Sequence, residues 1–392
     1  MLNFEPWGFD MMNSRLLASA MFVGVLALPA VAHAAPKTMT RQVGDFVITA
    51  QSMIVGQTST ATVAGGGSPL YLASRPQKDG VVGLLMTYAS GDRFVCSGSL
   101  ASDRRSIITA AHCVSSGGGV KDPNLVSTDI FFWNGSDSQI WFEAGATSIA
   151  VTDWFVAGGY SGDVIDQNDI AVLRMADFAP AFATSYNLYL ADPEGLEFNV
   201  AGYGARSNAG GSIGANLGTG RLREGDNLFD YRFGNPLFGN SLADFWGRPF
   251  SQVEFTYISD FDRVGFAAND VSDILATFLG VNGFADTGVG PREVGIAGGD
   301  SGGPGFIDGK LASVNSWGGS ITAGDFNPGL NSSWGEFSGY VPIFIHGNWI
   351  SSVLFDNMPV IPEPQTWAML IVGFGAVGFA ARRRRAVGVV AA

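Results

Sequence analysis

The run GDSGGP at residues 299–304 is the part of the sequence best suited to chemistry. Glycines around a serine let the backbone turn sharply and aim several N–H groups at one point. Such a nest of donors can stabilise an oxyanion. The serine hydroxyl becomes a nucleophile once a neighbouring base takes its proton. The run therefore predicts acyl-transfer chemistry at Ser301.

Few side chains could act as that base. The chain has three histidines, and His33 lies in an N-terminal leader. His112, in the run TAAHC after an apolar segment, and His346 are the remaining candidates. A catalytic histidine needs a carboxylate that fixes its tautomer and stabilises its cation. Asp169, which opens the apolar run DIAVL, is the best candidate for that carboxylate.

The elements that must position these residues are strands. From about residue 80 to residue 355, short apolar runs alternate with Gly, Ser, Asn and Asp and show little helical periodicity, which is typical of a sandwich or barrel. The 54 glycines against 17 prolines suit many turns. The predicted strands include Val81–Thr87, Ser106–Thr109, Ile170–Arg174, Phe198–Gly202 and Leu311–Ser316, and helices are predicted at Asn269–Leu279 and Asn348–Phe355.

Composition excludes several classes of protein. Apolar residues make up 46% of the 392 residues and charged residues 15%, so the chain folds around a core rather than staying disordered. With 35 acidic and 22 basic residues the net charge is -13, which repels phosphate backbones and makes nucleic acid an unsuitable partner. Two cysteines and three histidines are too few for a zinc finger or an iron–sulfur cluster. No metal or cofactor is predicted.

One acidic cluster calls for a separate test. It consists of Asp260, Asp262, Asp270 and Asp273. An EF-hand loop that starts at Asp260 would place Val271 where the bidentate glutamate belongs. We therefore expect a solvated acidic face, with an irregular calcium site as the alternative.

Three motifs, TAAHC, DIAVL and GDSGGP, stand in the order histidine, aspartate, serine. In this order they resemble the chymotrypsin-like serine endopeptidases of the trypsin superfamily, over roughly residues 81–349. The resemblance implies an all-β fold of two packed antiparallel six-stranded β-barrels with a short C-terminal helix. It also implies that His112 is the general base, Asp169 its orienting partner and Ser301 the nucleophile. The N–H groups of Gly299 and Ser301 are then expected to form the oxyanion hole.

The same resemblance implies a disulfide between Cys96 and Cys113. An exported chain can keep such a bond. It would close a loop of about seventeen residues and stabilise the fold by roughly 3 kcal/mol in the chain-entropy model. It would also hold His112 in place.

Further residues match the substrate-binding positions of that family. Ser316, Trp317 and Gly318 match a strand whose backbone pairs with an extended peptide. Gly318 and Gly339 are expected to leave the specificity pocket open. The pocket floor falls at Gly295, where no carboxylate is available to pair with lysine or arginine. The expected cleavage follows apolar or small uncharged residues.

The activation signal of the family is only partly present. Its members are commonly activated when a new Ile-Val-Gly-Gly N-terminus pairs with the aspartate before the nucleophile, here Asp300. No basic residue followed by that tetrapeptide occurs, and the nearest runs are IVG at 54–56 and VAGG at 63–66. The sequence leaves the activation route open.

The two ends of the sequence predict that the protein is exported. Arg15, an apolar run over 16–28 and the sequence Ala32-His33-Ala34 describe a signal peptide that signal peptidase would remove. At the other end PEP at 362–364, an uncharged run over 365–381 and four arginines resemble the PEP-CTERM sorting signal of Gram-negative bacteria. That resemblance implies transient membrane insertion, processing by an exosortase, and a final place in the envelope, on the cell surface or in the extracellular matrix. The alternative is a C-terminal membrane tether that the protein retains.

The sequence thus predicts four segments. They are a signal peptide (1–34), a pro-region or extra strand (35–75), a trypsin-like peptidase domain (76–357) and an apolar sorting segment (358–392). The predicted function is hydrolysis of peptide bonds in peptide or protein substrates by an exported serine endopeptidase. The alternatives are a non-catalytic surface or matrix binding protein on the same fold, and an esterase.

Overall fold

The structure is a computed structural model. It describes residues 37–355 except 45, 52–53, 267–269, 285–287, 323–324, 326 and 328, together with Phe374. The predicted signal peptide and the sorting segment, apart from that one residue, lie outside the described residues. Within the described part, no helix is long and apolar enough to cross a membrane.

Strands dominate the described residues, as the all-β prediction requires. The strands are β1 (Thr38–Val43), β2 (Phe46–Gln51), β3 (Val55–Gly56), β4 (Val81–Tyr88), β5 (Arg93–Leu100), β6 (Ser106–Thr109), β7 (Leu125–Phe132), β8 (Thr147–Val156), β9 (Ala171–Met175), β10 (Glu197–Gly202), β11 (Arg223–Leu228), β12 (Tyr231–Arg232), β13 (Tyr257–Phe261), β14 (Val294–Gly295), β15 (Pro304–Ile307), β16 (Lys310–Ile321) and β17 (Glu336–Pro342). The helices are α1 (Ser241–Trp246), α2 (Phe250–Val253), α3 (Val271–Phe278) and α4 (Gly347–Phe355).

Strands β4 to β9 form a closed antiparallel barrel in the order β4-β5-β6-β9-β8-β7. The barrel closes because β7 pairs with β4 as well as with β8. Apolar side chains that alternate along the strands, such as Leu84, Met86 and Ile130, are fully buried in its core. This barrel carries the segments that contain His112 and Asp169.

A nine-stranded antiparallel sheet forms the second part, with the order β11-β10-β15-β16-β17-β13-β12 and with β2 and β1 added beside β16. The all-β class is confirmed. In detail, this sheet is larger than the predicted six-stranded barrel, because β1 and β2 extend it and its hydrogen-bonded path does not close. The segment 35–75 therefore supplies strands to the second sheet.

Two predicted helices are present, with small shifts at their ends. Helix α3 begins after Asp270, whose carboxylate accepts a hydrogen bond of 2.7 Å from the N–H of Asp273 and so caps the helix. Helix α4 buries Ile350, and its Val353 carbonyl accepts a 2.9 Å hydrogen bond from the buried Arg174 of β9. This hydrogen bond links the C-terminal helix to the first barrel.

Candidate active site

Pairing between β6 and β9 brings His112 and Asp169 together. Thr109, the last residue of β6, lies opposite Ala171, the first residue of β9. His112 follows β6 in a 3₁₀ turn and Asp169 lies two positions before the start of β9, so the two segments meet at one edge of the barrel. One carboxylate oxygen of Asp169 accepts the backbone N–H of His112 at 2.7 Å, and the other lies 2.7 Å from its Nδ1.

Ser316 on β16 gives Asp169 a further donor. Its hydroxyl donates to the same oxygen that faces the histidine ring, at 2.6 Å. Asp169 is buried, and these hydrogen bonds replace the ones that its carboxylate would make to water. When Nδ1 of the neutral His112 ring donates to the carboxylate, Nε2 is left as the acceptor that a general base requires.

The second histidine is engaged elsewhere. Nε2 of His346 lies 2.8 Å from the carbonyl oxygen of Gln167, and burial lowers the pKa of this ring. A ring nitrogen bonded to a carbonyl must carry the proton, so it cannot accept one from a serine. Nε2 of His346 is therefore engaged, whereas Nε2 of His112 has no hydrogen-bond partner within the described residues.

The turn with Ser301 packs against β5 and against the turn that follows β6. The N–H of Ser97 donates to the Ser301 carbonyl at 2.8 Å, and Sγ of Cys113 lies 3.8 Å from the same oxygen. Ser301 Oγ and His112 Nε2 are both buried, and neither has a hydrogen-bond partner within the described residues. No hydrogen bond therefore joins these two atoms in the structure, although their backbone segments are in contact.

The two N–H groups predicted to form the oxyanion hole lie in the turn around Gly299. The carbonyl of Gly298 accepts a 2.8 Å hydrogen bond from the N–H of Ala205. Because C=O and N–H point in opposite directions across a trans peptide, the N–H of Gly299 points away from Ala205. Gly299 has φ +96°, a conformation that favours glycine. No described acceptor bonds to the N–H of Gly299 or of Ser301.

Ser97 supports this turn, and the sequence analysis missed it. Its hydroxyl accepts the N–H of Tyr203 and donates to the carbonyl of Gly299, both at 2.9 Å. Its own carbonyl accepts the hydroxyl of Thr109 at 2.8 Å. The position next to Cys96 was the available signal, because a polar residue beside a disulfide near the nucleophile is well placed for such contacts.

Cys96 and Cys113 form the predicted disulfide. They are 17 positions apart, and the closed loop contains β6 and the turn with His112. The bond thus ties the turn of the histidine to β5 of the same barrel.

Asp300, next to the predicted nucleophile, is fully buried. Its carboxylate accepts the N–H groups of Gly204 at 2.7 Å, of Ala297 at 3.0 Å, and of Ile54. Burial raises the pKa of Asp300 to about 8. Strand β3, directly after Ile54, pairs with β14 and holds the segment there. The run 54–56 thus reaches Asp300, whereas the run 63–66 forms a turn in which Val63 is exposed.

An aromatic ring and two hydroxyl groups lie near the predicted pocket floor, and the buried carboxylate of Glu336 accepts the N–H of Ser332 at 2.8 Å. The ring of Phe261 lies beside Gly295, and the N–H of Ile296 donates to the hydroxyl of Ser338 at 3.1 Å. The hydroxyl of Ser332 donates to the Ile296 carbonyl at 2.5 Å. These contacts surround Gly295 with an aromatic ring and hydroxyl groups.

Gly339, which was expected to leave the specificity pocket open, lies against an aromatic side chain instead. A side chain there would overlap the indole of Trp317, which is fully buried. Its missing side chain therefore makes room for the indole and does not by itself hold a pocket open. Gly318, one residue further on β16, lies opposite Ser338 of β17.

The expectation of a solvated acidic face is wrong. Asp260, Asp262 and Asp270 are at most 2% exposed, and their carboxylate oxygens lie within 4.8 Å of one another. Asp260 sits in β13 inside the sheet and Asp270 caps α3, so the fold draws both inward. Desolvation and the surrounding carboxylates hold the pKa of Asp260 well above its usual range. Asp273 alone is partly exposed.

Gly302 offers a test of how tightly the nucleophile turn is packed. A Cβ at Gly302 would overlap Thr109 Oγ1 and the Ser97 carbonyl, whereas one at Gly309 meets nothing within 4 Å. Both residues have positive φ, +81° and +70°. We expect Gly302→Ala to lower the free energy of unfolding by about 1–3 kcal/mol more than Gly309→Ala, measured by urea denaturation, because it adds overpacking to the same backbone strain. Equal losses would contradict the packing described.

Comparison with known proteins gives two matches. The family model described as Trypsin matches residues 73–223, and the model described as the PEP-CTERM protein-sorting motif matches residues 360–385. The first match includes His112 and Asp169 and ends before Ser301. No curated protein matches the chain.

Proposed function

Because this chain carries a trypsin-family domain and a C-terminal PEP-CTERM sorting motif, we propose that it is an exported serine endopeptidase with the triad His112, Asp169 and Ser301. The observation that carries the proposal is the bond of 2.7 Å between Asp169 and His112 Nδ1, with Ser316 as an added donor to the same carboxylate. This arrangement leaves Nε2 free to act on a serine. Ser301 supplies that serine in a turn packed against the same barrel.

The proposed reaction is acyl transfer. Ser301 Oγ attacks the carbonyl carbon of the scissile peptide, and its proton moves to His112 Nε2. The N–H groups of Gly299 and Ser301 receive the negative charge on the carbonyl oxygen. The C–N bond breaks as His112 returns the proton to the leaving amine. A water molecule, deprotonated by His112, then hydrolyses the ester on Ser301 and restores the free hydroxyl.

Substrate is proposed to bind as an added strand along Ser316, Trp317 and Gly318. Main-chain hydrogen bonds to an exposed strand edge give affinity, and pockets for side chains give specificity. The aromatic ring beside Gly295 and the lack of a carboxylate at that position favour an apolar or small uncharged residue before the scissile bond. Lysine or arginine there would be buried without a counter-charge at the pocket floor.

The mature chain is proposed to begin at Ile54. In the intact chain the N–H of Ile54 already donates to Asp300. Cleavage before Ile54 would turn this amide into an ammonium group beside a buried carboxylate. A charge-assisted pair is stronger than the bond it replaces. This processing would make residues 35–53 a pro-segment.

The ends are proposed to direct export. A PEP-CTERM motif marks a secreted protein of Gram-negative bacteria and implies processing by an exosortase. The signal peptide over 1–34 and the sorting segment over 358–392 would flank a peptidase domain over 76–357. Signal peptidase would act first, and the mature protein would reside in the envelope, on the surface or in the matrix.

Labelling and cleavage test this function. A protease site inserted before Ile54 allows the purified protein to be cut in place, and a fluorophosphonate probe is then added. We expect the probe on Ser301 by mass spectrometry, and cleavage of a peptide library after residues such as alanine, valine or leucine.

Each other outcome has a defined meaning. No label on Ser301 contradicts a serine hydrolase and favours a binding protein. Turnover of esters without cleavage of any peptide favours an esterase. Cleavage after lysine or arginine contradicts the proposed specificity alone.

A further inference from the structure

The strand edge proposed to bind substrate is already partly occupied by the chain itself. On β16, β17 pairs with residues 313–320, β15 with 310–314 and β2 with 318–321. Residues 313–314 of β16 pair with both β17 and β15, and residues 318–320 pair with both β17 and β2. Because a strand has only two edges, β15 and β2 both lie on the edge of β16 opposite β17. Ser316 and Trp317 lie between these two strands. The open part of that edge is therefore very short.

A substrate strand along Ser316–Gly318 needs the backbone of Gly318, and Gly318 already lies opposite Gln51 of β2. Each residue of a strand advances by about 3.3 Å, so a peptide that extends past Trp317 would collide with β2. A probe that reaches only Ser301 would not meet this obstacle. The occupied positions are those that an extended peptide needs.

The occupying segment is β1 and β2, residues Thr38–Gln51, called here the N-terminal hairpin. Its Ile48 and Ala50 are fully buried in one apolar cluster with Trp317 and Ile321. Its Arg41 donates to the carbonyls of Asp244 and Phe245 in α1, at 2.6 and 3.0 Å. The hairpin is thus packed and hydrogen-bonded on the second sheet, and Trp317 is buried partly by it.

Lys37, the residue before the N-terminal hairpin, lies near His112. The ammonium of Lys37 donates to the carbonyl of Gly162 at 2.7 Å and lies 3.5 Å from the hydroxyl of Tyr160. Lys37 and His112 line one cavity of about 520 Å³. Residues 37–51 therefore run from beside His112 to the far end of the β16 edge.

We propose that the N-terminal hairpin is an autoinhibitory strand that occupies the acyl-side peptide-binding edge of β16 until it is released. This inference rests on the proposed function, because it concerns access to Ser301 and the β16 edge. The hairpin ends at Gln51, only three positions before Ile54. A cut before Ile54 would leave the hairpin held by non-covalent contacts alone. Processing would then both complete the pair at Asp300 and free the edge of β16.

The test uses the full-length chain with two substitutions on β2. Ile48→Asp puts a charge into the buried cluster and should detach the hairpin. Val47→Asp adds the same charge one residue away, at a side chain that is 41% exposed, and is the matched control. Two substrates are compared: a fluorophosphonate, which needs only Ser301, and a peptide amide with four residues before the scissile bond.

We expect Ile48→Asp to raise kcat/KM for the four-residue peptide at least about tenfold, since apparent affinity follows the fraction of open molecules, and to change labelling by less than about threefold. Val47→Asp should match the wild type in both assays. Unchanged peptide cleavage by Ile48→Asp, with Ser301 labelled, overturns the inference. If the uncut chains do not label at Ser301, the chains cut before Ile54 are compared in the same way, and equal peptide cleavage by Ile48→Asp and by a wild type that still protects β2 overturns the inference. If the cut chain also fails to label, the proposed function itself has failed.

Hydrogen exchange on the unmodified chain gives a second measurement if Ile48→Asp does not fold. A peptidyl boronate with four residues, bound at saturation, should increase exchange of the β2 amides of residues 46–51. A boronate with a single residue should leave their protection unchanged. Full protection of β2 in the complex with the four-residue boronate overturns the inference.

Discussion

Replacing Asp169 with asparagine is expected to lower kcat about 10⁴-fold while the fold stays intact, the size of loss typical when a triad histidine takes the wrong tautomer. One carboxylate oxygen of Asp169 accepts the backbone N–H of His112, so the oxygen of the new amide must take that place. The amide NH₂ then faces His112 Nδ1, and Ser316 can rotate its hydroxyl to accept. The ring must therefore carry its proton on Nε2.

This tautomer cannot accept the proton of Ser301. The measurement is single-turnover cleavage of a peptide amide together with the thermal unfolding midpoint. Ser301→Ala is the control, because it removes the nucleophile and leaves the hydrogen bonds of Asp169 in place. Activity within about tenfold of the unmodified protein would exclude Asp169 as the orienting carboxylate.

The effect of Asp300→Asn is expected to depend on whether the chain has been cut before Ile54. In the cut chain the substitution leaves a buried ammonium without its partner, a change that costs about 3–5 kcal/mol. We expect a loss of peptide cleavage on the order of 10²-fold or more, because the ammonium leaves the site and the nucleophile turn loses its support. In the intact chain, where an amide faces Asp300, the same substitution should cost far less.

The pH dependence of stability should separate the two forms as well. In the intact chain burial raises the pKa of Asp300 from 3.8 to about 8, so the folded state binds an extra proton between those values. The free energy of unfolding contributed by this group therefore falls as pH rises from about 4 to about 8. An ammonium at Ile54 lowers the pKa and removes this loss. In a Ser301→Ala background, cutting should raise the unfolding midpoint more at pH 8 than at pH 5, and an equal effect at both would contradict the pairing.

The candidate site was largely predictable because its signals are local. TAAHC, DIAVL and GDSGGP each lie beside a strand end, and the disulfide of Cys96 and Cys113 closes a short loop. The pairing of Thr109 with Ala171 then brings the segments of the histidine and aspartate motifs together. Apolar runs also located most strands of the first barrel, where one face is buried along each strand.

Long-range contacts were not predictable in the same way. The pairing of β2 with β16 joins residues about 270 positions apart, such as Thr49 and Ser320, and neither segment carries a motif that identifies the other. Asp260 and Asp262 look like surface residues by their charge, but Asp260 belongs to a strand inside a sheet, Asp262 follows that strand directly, and both are buried. A pattern of residue types indicates an exposed or buried face only when the neighbours of that face are known.

The buried acids described above also change how the protein exchanges protons with its surroundings. Burial holds the pKa of Asp300 and of Glu336 at about 8, and that of Asp260 is raised as well. At neutral pH the carboxyls of Asp300 and Glu336 are mostly protonated in the folded chain and ionised in the unfolded chain. Folding therefore takes up protons from the medium, and the folded chain is less negative than its formal charge of -13. After export, an acidic environment outside the cell would thus favour the folded form of the uncut chain.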